Sequence, residues 1–370
     1  MFKVKKIVFV IEEEYLTNGP EKSIVDGLSK NLLSDYSYEI VTCPVALRRR
    51  LNKKIMNDFY NRLTIATDNA VALVAIACSV SYCIIPKFSK FPSSLSLISY
   101  MGDSNVRGLR SVLDSIRCDK LCSNLKNRCL LKMRIKLYGH KEQKVLDRYE
   151  KILYITNTDV QYAVSNYQVD KAKVGLLEYA INKAPDIKTR QPGNLLKVGF
   201  IGTFHPNSIS LDLDWFINAT EKIIENNNLN IKIIIAGRRI TEQQRDELNQ
   251  YKFVECIGEV ESLEEFYNSI DFVFSTVTKT AGVLTKVVEA FSYGKMVLGY
   301  RKNFDGIDAM KEGIHYIPVD TEEELESALK HIVDKKVDIV AMGRMAKAEL
   351  EKCFTWDVRA KELINFIEKE

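Results

Sequence analysis

The residues best equipped for chemistry lie between Gly282 and Gly294, in the run GVLTKVVEAFSYG. Lys286 and Glu289 are three apart, so on a helix they share one face. Gly282 allows a backbone bend that turns the following N–H groups, beginning at Val283, toward an anion at the helix N-terminus, where the helix dipole adds attraction. A ligand with a diphosphate for Lys286 and a ribose diol for Glu289 would be recognised by both at once. A lysine and a glutamate at this spacing also make an ordinary solvated helix pair. This pair differs in lying between two buried strands, on the first turns of a helix, with glycines at both ends.

Other chemistries have less to stand on. The first strand is followed by Glu12, Glu13, Glu14 and Tyr15, where a dinucleotide fold needs small glycines, and there is no Walker lysine motif. The three glutamates read as a charged surface loop. His205 precedes Pro206 and reads as a turn residue before a base; His140, His315 and His331 are isolated. Cys118, Cys122 and Cys129 lack zinc-ribbon spacing, and no pair of carboxylates suited to Mg²⁺ stands beside a strand end, so no metal is expected.

The elements that must position these residues follow a strand–loop–helix rhythm told twice. Val4–Ile11, Tyr38–Cys43, Leu95–Tyr100 and Lys151–Thr156 are predicted strands, and a predicted helix at Asn157–Tyr167 is followed by the segment Val174–Tyr179. The apolar run Ala70–Ile85, broken by Ser79 and Ser81, reads as a buried helix followed by a short strand, Ser81–Ile85; it is shorter than the roughly 20 residues that cross a bilayer. A long helical region, broken near Gly139, precedes Lys151. After the polar stretch 183–193 the rhythm restarts with strands at Leu196–Ile201, Ile231–Ala236, Phe253–Ile257, Phe272–Ser275 and Met296–Tyr300, and helices between them. This predicts an α/β protein of two doubly wound, Rossmann-like domains facing a ligand cleft: residues 1–182, a linker 183–193, residues 194–354, and a terminal helix 355–370 that packs back on the first domain.

With 370 residues, 46% hydrophobic and 28% charged, both domains can hold a core, and a net charge of +4 does not describe a nucleic-acid binder. Residues 107–151 nevertheless carry 13 Lys and Arg against 5 Asp and Glu, and Arg48, Arg49, Arg50, Lys53 and Lys54 form a second basic cluster. Between Leu121 and Tyr138 apolar and basic residues interleave, which suits either a core helix with solvated lysines or a segment resting on an anionic membrane. The eight cysteines are scattered and no secretory signal precedes them, so reduced thiols in the cytoplasm are expected.

The second half resembles the retaining GT-B glycosyltransferases of group 1, often called family 4, through GTFHPNSISLDLDWF, IIIAGRR, CIGEVESLEEFYNSIDFVF, GVLTKVVEAFSYGKMVL and FTWDVRAKELINFIE, in that order. The first half carries the resemblance less strongly, in NGPEKS, ISYMGDS and YEKILYITNTDVQYAV. The resemblance implies transfer of a hexose from a UDP- or GDP-sugar to a bacterial surface glycan or lipid-linked acceptor, with retention and without a cofactor. It implies that Glu289 holds the donor ribose, that Lys286 and the backbone at Gly282 and Val283 meet the diphosphate, and that Gly202 lets backbone approach the donor. Gly19 matches the family's glycine loop near the reaction centre. Asp103 stands where many members carry a histidine, and is the catalytic candidate beside Lys286; helix capping is its other reading.

The sequence also departs from the family. Ala281 replaces the first of two glutamates, Thr203 replaces an arginine after Gly202, and Asn207 and Ser208 stand where a lysine is expected. Arg238, Arg239 and Lys279 are the candidates for the missing charge. The alternatives are another GT-B enzyme, such as a sugar-nucleotide epimerase or an inverting transferase, and a catalytically inactive partner subunit that binds nucleotide sugar.

Overall fold

The structure is a computed structural model that describes residues 4–15, 20–44, 53–115, 121–187, 191–204, 211–277 and 282–368. Two compact units emerge: Met1–Asn182 with Phe354–Glu370, and Lys183–Cys353.

Strand β1 (Lys5–Glu12) shows how the first unit is layered. Its side chains alternate, and both sets are buried: Val8 and Val10 enter a core with Phe59, Leu63 and Tyr149, while Ile7, Phe9 and Ile11 enter another with Ile24, Leu28 and Leu363. A strand covered on both faces has no polar side, which is why this segment is a near-continuous apolar run. The chain continues as α1 (Pro20–Lys30), β2 (Tyr36–Cys43), α2 (Lys53–Thr67), β3 (Ala70–Ile76), α3 (Cys78–Ile84), β4 (Ser96–Gly102), α4 (Asn105–Ser115), α5 (Leu121–Arg148), β5 (Lys151–Tyr154), α6 (Asn157–Asn166) and β6 (Val174–Leu176). All strands run parallel, in the order β2-β1-β3-β4-β5-β6.

Two sequence expectations fail here. Ala70–Ile85 is strand then helix, the reverse of the expected order, and Ser81–Ile85 is no strand. Ala77, at φ 76°, turns the chain out of β3. The serines do not interrupt: Ser81 Oγ donates to the Ala77 carbonyl at 2.9 Å and lies 2.7 Å from Ser99 Oγ, so the helix buries it satisfied. The second failure is the break at Gly139. Helix α5 runs straight through it for 28 residues, held by its packing on α3 and α4.

The second unit comprises β7 (Leu196–Thr203), α7 (Leu211–Asn227), β8 (Ile231–Arg238), α8 (Glu242–Asn249), β9 (Val254–Gly258), α9 (Leu263–Ser269), β10 (Phe272–Ser275), α10 (Thr285–Ser292), β11 (Val297–Gly299), β12 (Tyr316–Pro318), α11 (Glu322–Val333) and α12 (Ile339–Cys353). The parallel order is β12-β11-β10-β7-β8-β9. After β9 the chain crosses back to the other side of β7, so a topological switch lies between β7 and β10. In open α/β sheets the crevice outside such a point, at the carboxyl ends of the strands, is where ligands bind. Phe216 of α7 stacks on Phe274 of β10 at 3.5 Å between ring centroids, packing one face of the sheet beside the switch.

The last helix, α13 (Trp356–Glu368), belongs to the first unit. Buried Arg359 pairs with Glu178 at 2.9 Å, and Trp356 lies against α1. A Cβ at Gly27 would sit 2.1 Å from the indole ring, so the glycine makes room for it. An alanine in the middle of a helix normally gains about 0.5–1 kcal/mol over glycine. Gly27→Ala should instead lose about 1–3 kcal/mol through overpacking, read as a lower denaturation midpoint. A more stable variant would show that α13 does not press on α1 in this way.

Candidate functional site

In the second unit, a cavity of about 450 Å³ opens at the carboxyl ends of the strands beside the switch. Strand β7 brings Gly202 and Thr203 to its rim, and β8 brings Gly237 and Arg238. Gly237 has no alternative: a Cβ there would lie 2.3 Å from the Gly202 carbonyl oxygen. Glu259, Val260 and Leu263 supply another wall, and α10 supplies Thr285, Lys286 and Glu289.

The chain enters α10 through Gly282, which is buried at φ +72°, a conformation costly for any residue with a side chain. Val283 and Leu284 follow, and the N-cap residue Leu284 offers no side-chain acceptor to the first amides. Lys286 extends back across the end of β7, with Nζ 5.3 Å from the Phe200 ring centroid and 3.8 Å from where a Cβ on Gly202 would be. One turn on, Glu289 Oε1 accepts a hydrogen bond of 2.8 Å from the Tyr267 hydroxyl. Burial raises the Glu289 carboxyl above its usual range, and the Tyr267 bond acts in the opposite direction. Tyr267 is itself fully buried on α9 and stacks on Tyr293 at 4.4 Å, so its hydroxyl is fixed in place.

The structure thus gathers Gly202, Thr203, Arg238, Lys286 and Glu289 around one cavity, with Gly282 and Val283 on the loop that leads into α10. Gly19, Ala281 and Lys279 lie outside the described residues. Sequence reasoning did not single out Gly237, Glu259, Leu263 or Tyr267. The first two sit at or just past strand ends, a readable signal. Tyr267 has none, because its partner is 22 residues away and only the packing of α9 on α10 joins them.

Asp103 belongs to the first unit, just after Gly102 at the end of β4. It does not cap α4; Ser104 does, its Oγ accepting from the Arg107 amide at 3.2 Å. The turn is clamped from below. Buried Glu142 accepts from Ser104 Oγ at 3.1 Å, the Val106 amide at 3.2 Å and the Tyr167 hydroxyl at 2.6 Å. Buried Asp159 takes the Ser104 amide at 3.0 Å and both arms of Arg107 at 2.7 and 3.0 Å. Asp103 itself reaches solvent, yet crowding by protein raises its carboxyl, Asp159 adds to the rise, and Arg107 opposes it. Among the described residues no three His, Cys, Asp or Glu side chains gather as metal ligands.

Glu12 corrects the sequence reading, being no part of a surface loop. At the end of β1 it is only 4% exposed, with Oε2 accepting from Ser79 Oγ at 3.3 Å. Burial lifts its carboxyl to about 7, and Glu14 and Glu21 add repulsion. The folded state therefore keeps a proton that the unfolded chain has lost, and stability falls as pH climbs from the ordinary glutamate range to about 7. Glu12→Gln should stabilise the protein above pH 7 by on the order of 2 kcal/mol, the gain vanishing near pH 4. Denaturation midpoints at both pH values check this; an equal effect at the two would show that Glu12 does not titrate in this interval.

Residues 196–335 match the family described as "Glycosyl transferases group 1". None of the curated proteins matches the chain. Solved structures share the fold at low identity. Against TarM the TM-score is 0.62 at 10% identity, covering 85% of this chain and 58% of that one, so the chain spans little more than half of TarM's length. HepE from Anabaena in complex with UDP gives 0.68 at 12%, covering 98% and 99%. The lipopolysaccharide outer core galactosyltransferase WaaB gives 0.63 at 12%, covering 98% and 99%.

Proposed function

We propose that the chain, whose residues 196–335 match the group 1 glycosyltransferases, is a glycosyltransferase that moves a hexose from a UDP- or GDP-sugar to a bacterial surface glycan or its lipid-linked precursor. The observation that carries the reading is the placement of Lys286 and Glu289 one turn apart on α10, both facing the cavity whose other rim is Gly202 and Gly237. Glu289 would accept both hydroxyls of the donor ribose. Lys286 and the first amides of α10 would hold the diphosphate, with Arg238 as a second cation, and Leu263 offers an apolar wall to the base. The UDP-bound structure of HepE and the name of WaaB lend support to the nucleotide and to the surface-glycan acceptor.

In the reaction an acceptor oxygen forms a bond to the anomeric carbon as the bond to the diphosphate oxygen breaks, and the proton of the acceptor hydroxyl passes to the departing diphosphate and then to solvent. Charge grows on the leaving nucleoside diphosphate, where fixed donors count most. Lys286 and the α10 N-terminus meet that need without a metal ion, and transfer with retained configuration is expected to survive a chelator. Asp103 is the acceptor-side candidate for catalysis. With a lipid-linked acceptor the enzyme would work in the cytoplasm as a peripheral protein at the inner face of the membrane.

Kinetics with UDP- and GDP-sugars test this. A charge-assisted pair contributes about 1.5–3 kcal/mol, so Glu289→Ala should weaken donor binding by roughly tenfold or more with the fold intact. Lys286→Ala should lower turnover more than donor affinity. Tyr267→Phe should leave the carboxylate in place but raise it further, so donor affinity is lost first at the acid side of the pH profile. Normal donor affinity in Glu289→Ala, or absence of transfer and hydrolysis by the native chain, would sink the reading, the latter in favour of a noncatalytic subunit.

A further inference from the structure

Helix α5 carries an apolar line that is largely exposed among the described residues. Leu130 is 53% exposed, Met133 69% and Leu137 55%. At 100° per residue these three fall within about 60° of arc, over roughly 10 Å of helix. The opposite side of α5, through Glu142, Val145, Leu146 and then Tyr149, is buried. The apolar line is therefore the outward face of the helix and not part of the unit's core.

Its surroundings are basic. Arg134 flanks the line on one side and Lys132 and Lys136 on the other, and all three are exposed. Among the described residues none forms an ion pair with these three. Further along the helix the same line continues as Lys141, Lys144 and Arg148. Lys141 and Lys144 lie over the Tyr82 ring at 5.6 and 5.8 Å. Over its 28 residues α5 holds eight Lys and Arg against Glu142 and Asp147, and Glu142 is buried and taken up by Ser104, Val106 and Tyr167. Asp147 accepts from Gln143 at 2.8 Å.

We propose that the outward face of α5 docks on an anionic lipid bilayer, with Leu130, Met133 and Leu137 entering the headgroup region and the flanking lysines and arginines contacting lipid phosphates. Charge complementarity selects this occupant. A second copy of the chain meeting this face through its own would set one basic helix against another, whereas lipid phosphates offer opposite charge and the acyl boundary takes the three apolar side chains. A hydrophobic core helix would turn these residues inward, and the structure turns them out. The inference deepens the peripheral membrane placement in the proposed function by naming the surface that makes the contact, and it stands on residues separate from the donor site.

Co-sedimentation of the full chain with vesicles tests it. Binding is expected to vesicles of phosphatidylcholine with phosphatidylglycerol at low salt, to weaken at high salt, and to be slight on phosphatidylcholine alone. Reversing three charges with Lys132→Glu, Arg134→Glu and Lys136→Glu should weaken binding by roughly a hundredfold or more, at about 1 kcal/mol for each basic residue near the surface. Leu130→Ser, Met133→Ser and Leu137→Ser should weaken it as well. Both sets of substitutions are on the surface and should leave the melting temperature and UDP binding unchanged. Absence of binding to anionic vesicles at low salt, or binding that both variants retain in full, overturns the proposal. So does a chain that is dimeric, becomes monomeric with the serine variant and ignores vesicles. Vesicle binding by a chain that binds no nucleoside diphosphate would leave this surface standing and remove the donor reading.

Discussion

The pairing of β7 with β8 on one side and β10 on the other is the constraint on which the site depends. Such a reversal in the direction of winding opens a crevice at the carboxyl ends of the strands. Helix α10 starts in that crevice only because Gly282 adopts a left-handed conformation on its approach. From this one placement follow the reach of Lys286 over the end of β7 and the contact of Glu289 with Tyr267, while the close approach of β7 to β8 requires glycine at 237.

Glu289 shows two opposing influences on one carboxyl at the rim of the cavity. Burial alone would favour its neutral form, and a neutral carboxyl cannot accept two hydrogen bonds from a diol as strongly as a carboxylate can. The Tyr267 hydroxyl counteracts burial through one oxygen, Oε1. In the first unit the balance is different. Glu142 and Asp159 are buried too, but each is surrounded by donors and serves to hold the turn at Ser104 in place, leaving Asp103 as the carboxyl at the end of β4 that reaches solvent.

How far the sequence reveals this depends on the range of the interaction concerned. Strands such as β7, β8 and β10 are legible because each is a short buried run bounded by glycine or polar residues, and the double α/β rhythm gives the fold class. The stretch Ala70–Ile85 is not, since apolar residues in succession have no period that separates a buried strand from a buried helix; only the pairing of β3 with β1 and β4 decides it. Lys286 and Glu289 are legible as a pair because helical spacing joins them. Tyr267 is invisible to that logic, and Glu12 is misread by it, because a run of three glutamates looks solvated until Ser79 and the sheet end enclose the first of them. The outward turn of α5 is likewise a tertiary fact: the same interleaved residues fit a core helix until packing shows which line is left in solvent.

In the proposed function one site holds both the diphosphate and the ribose diol of a nucleotide sugar. The most direct measurement is the thermal stability of the native chain with UDP or GDP, set beside uridine, guanosine and inorganic pyrophosphate at the same concentration. A ligand that binds only the folded state at about 100 times its dissociation constant adds about 2.7 kcal/mol. A nucleoside diphosphate should reach that shift where its separate halves give little. Equal stabilisation by pyrophosphate alone, or no shift with either diphosphate, would contradict the claim.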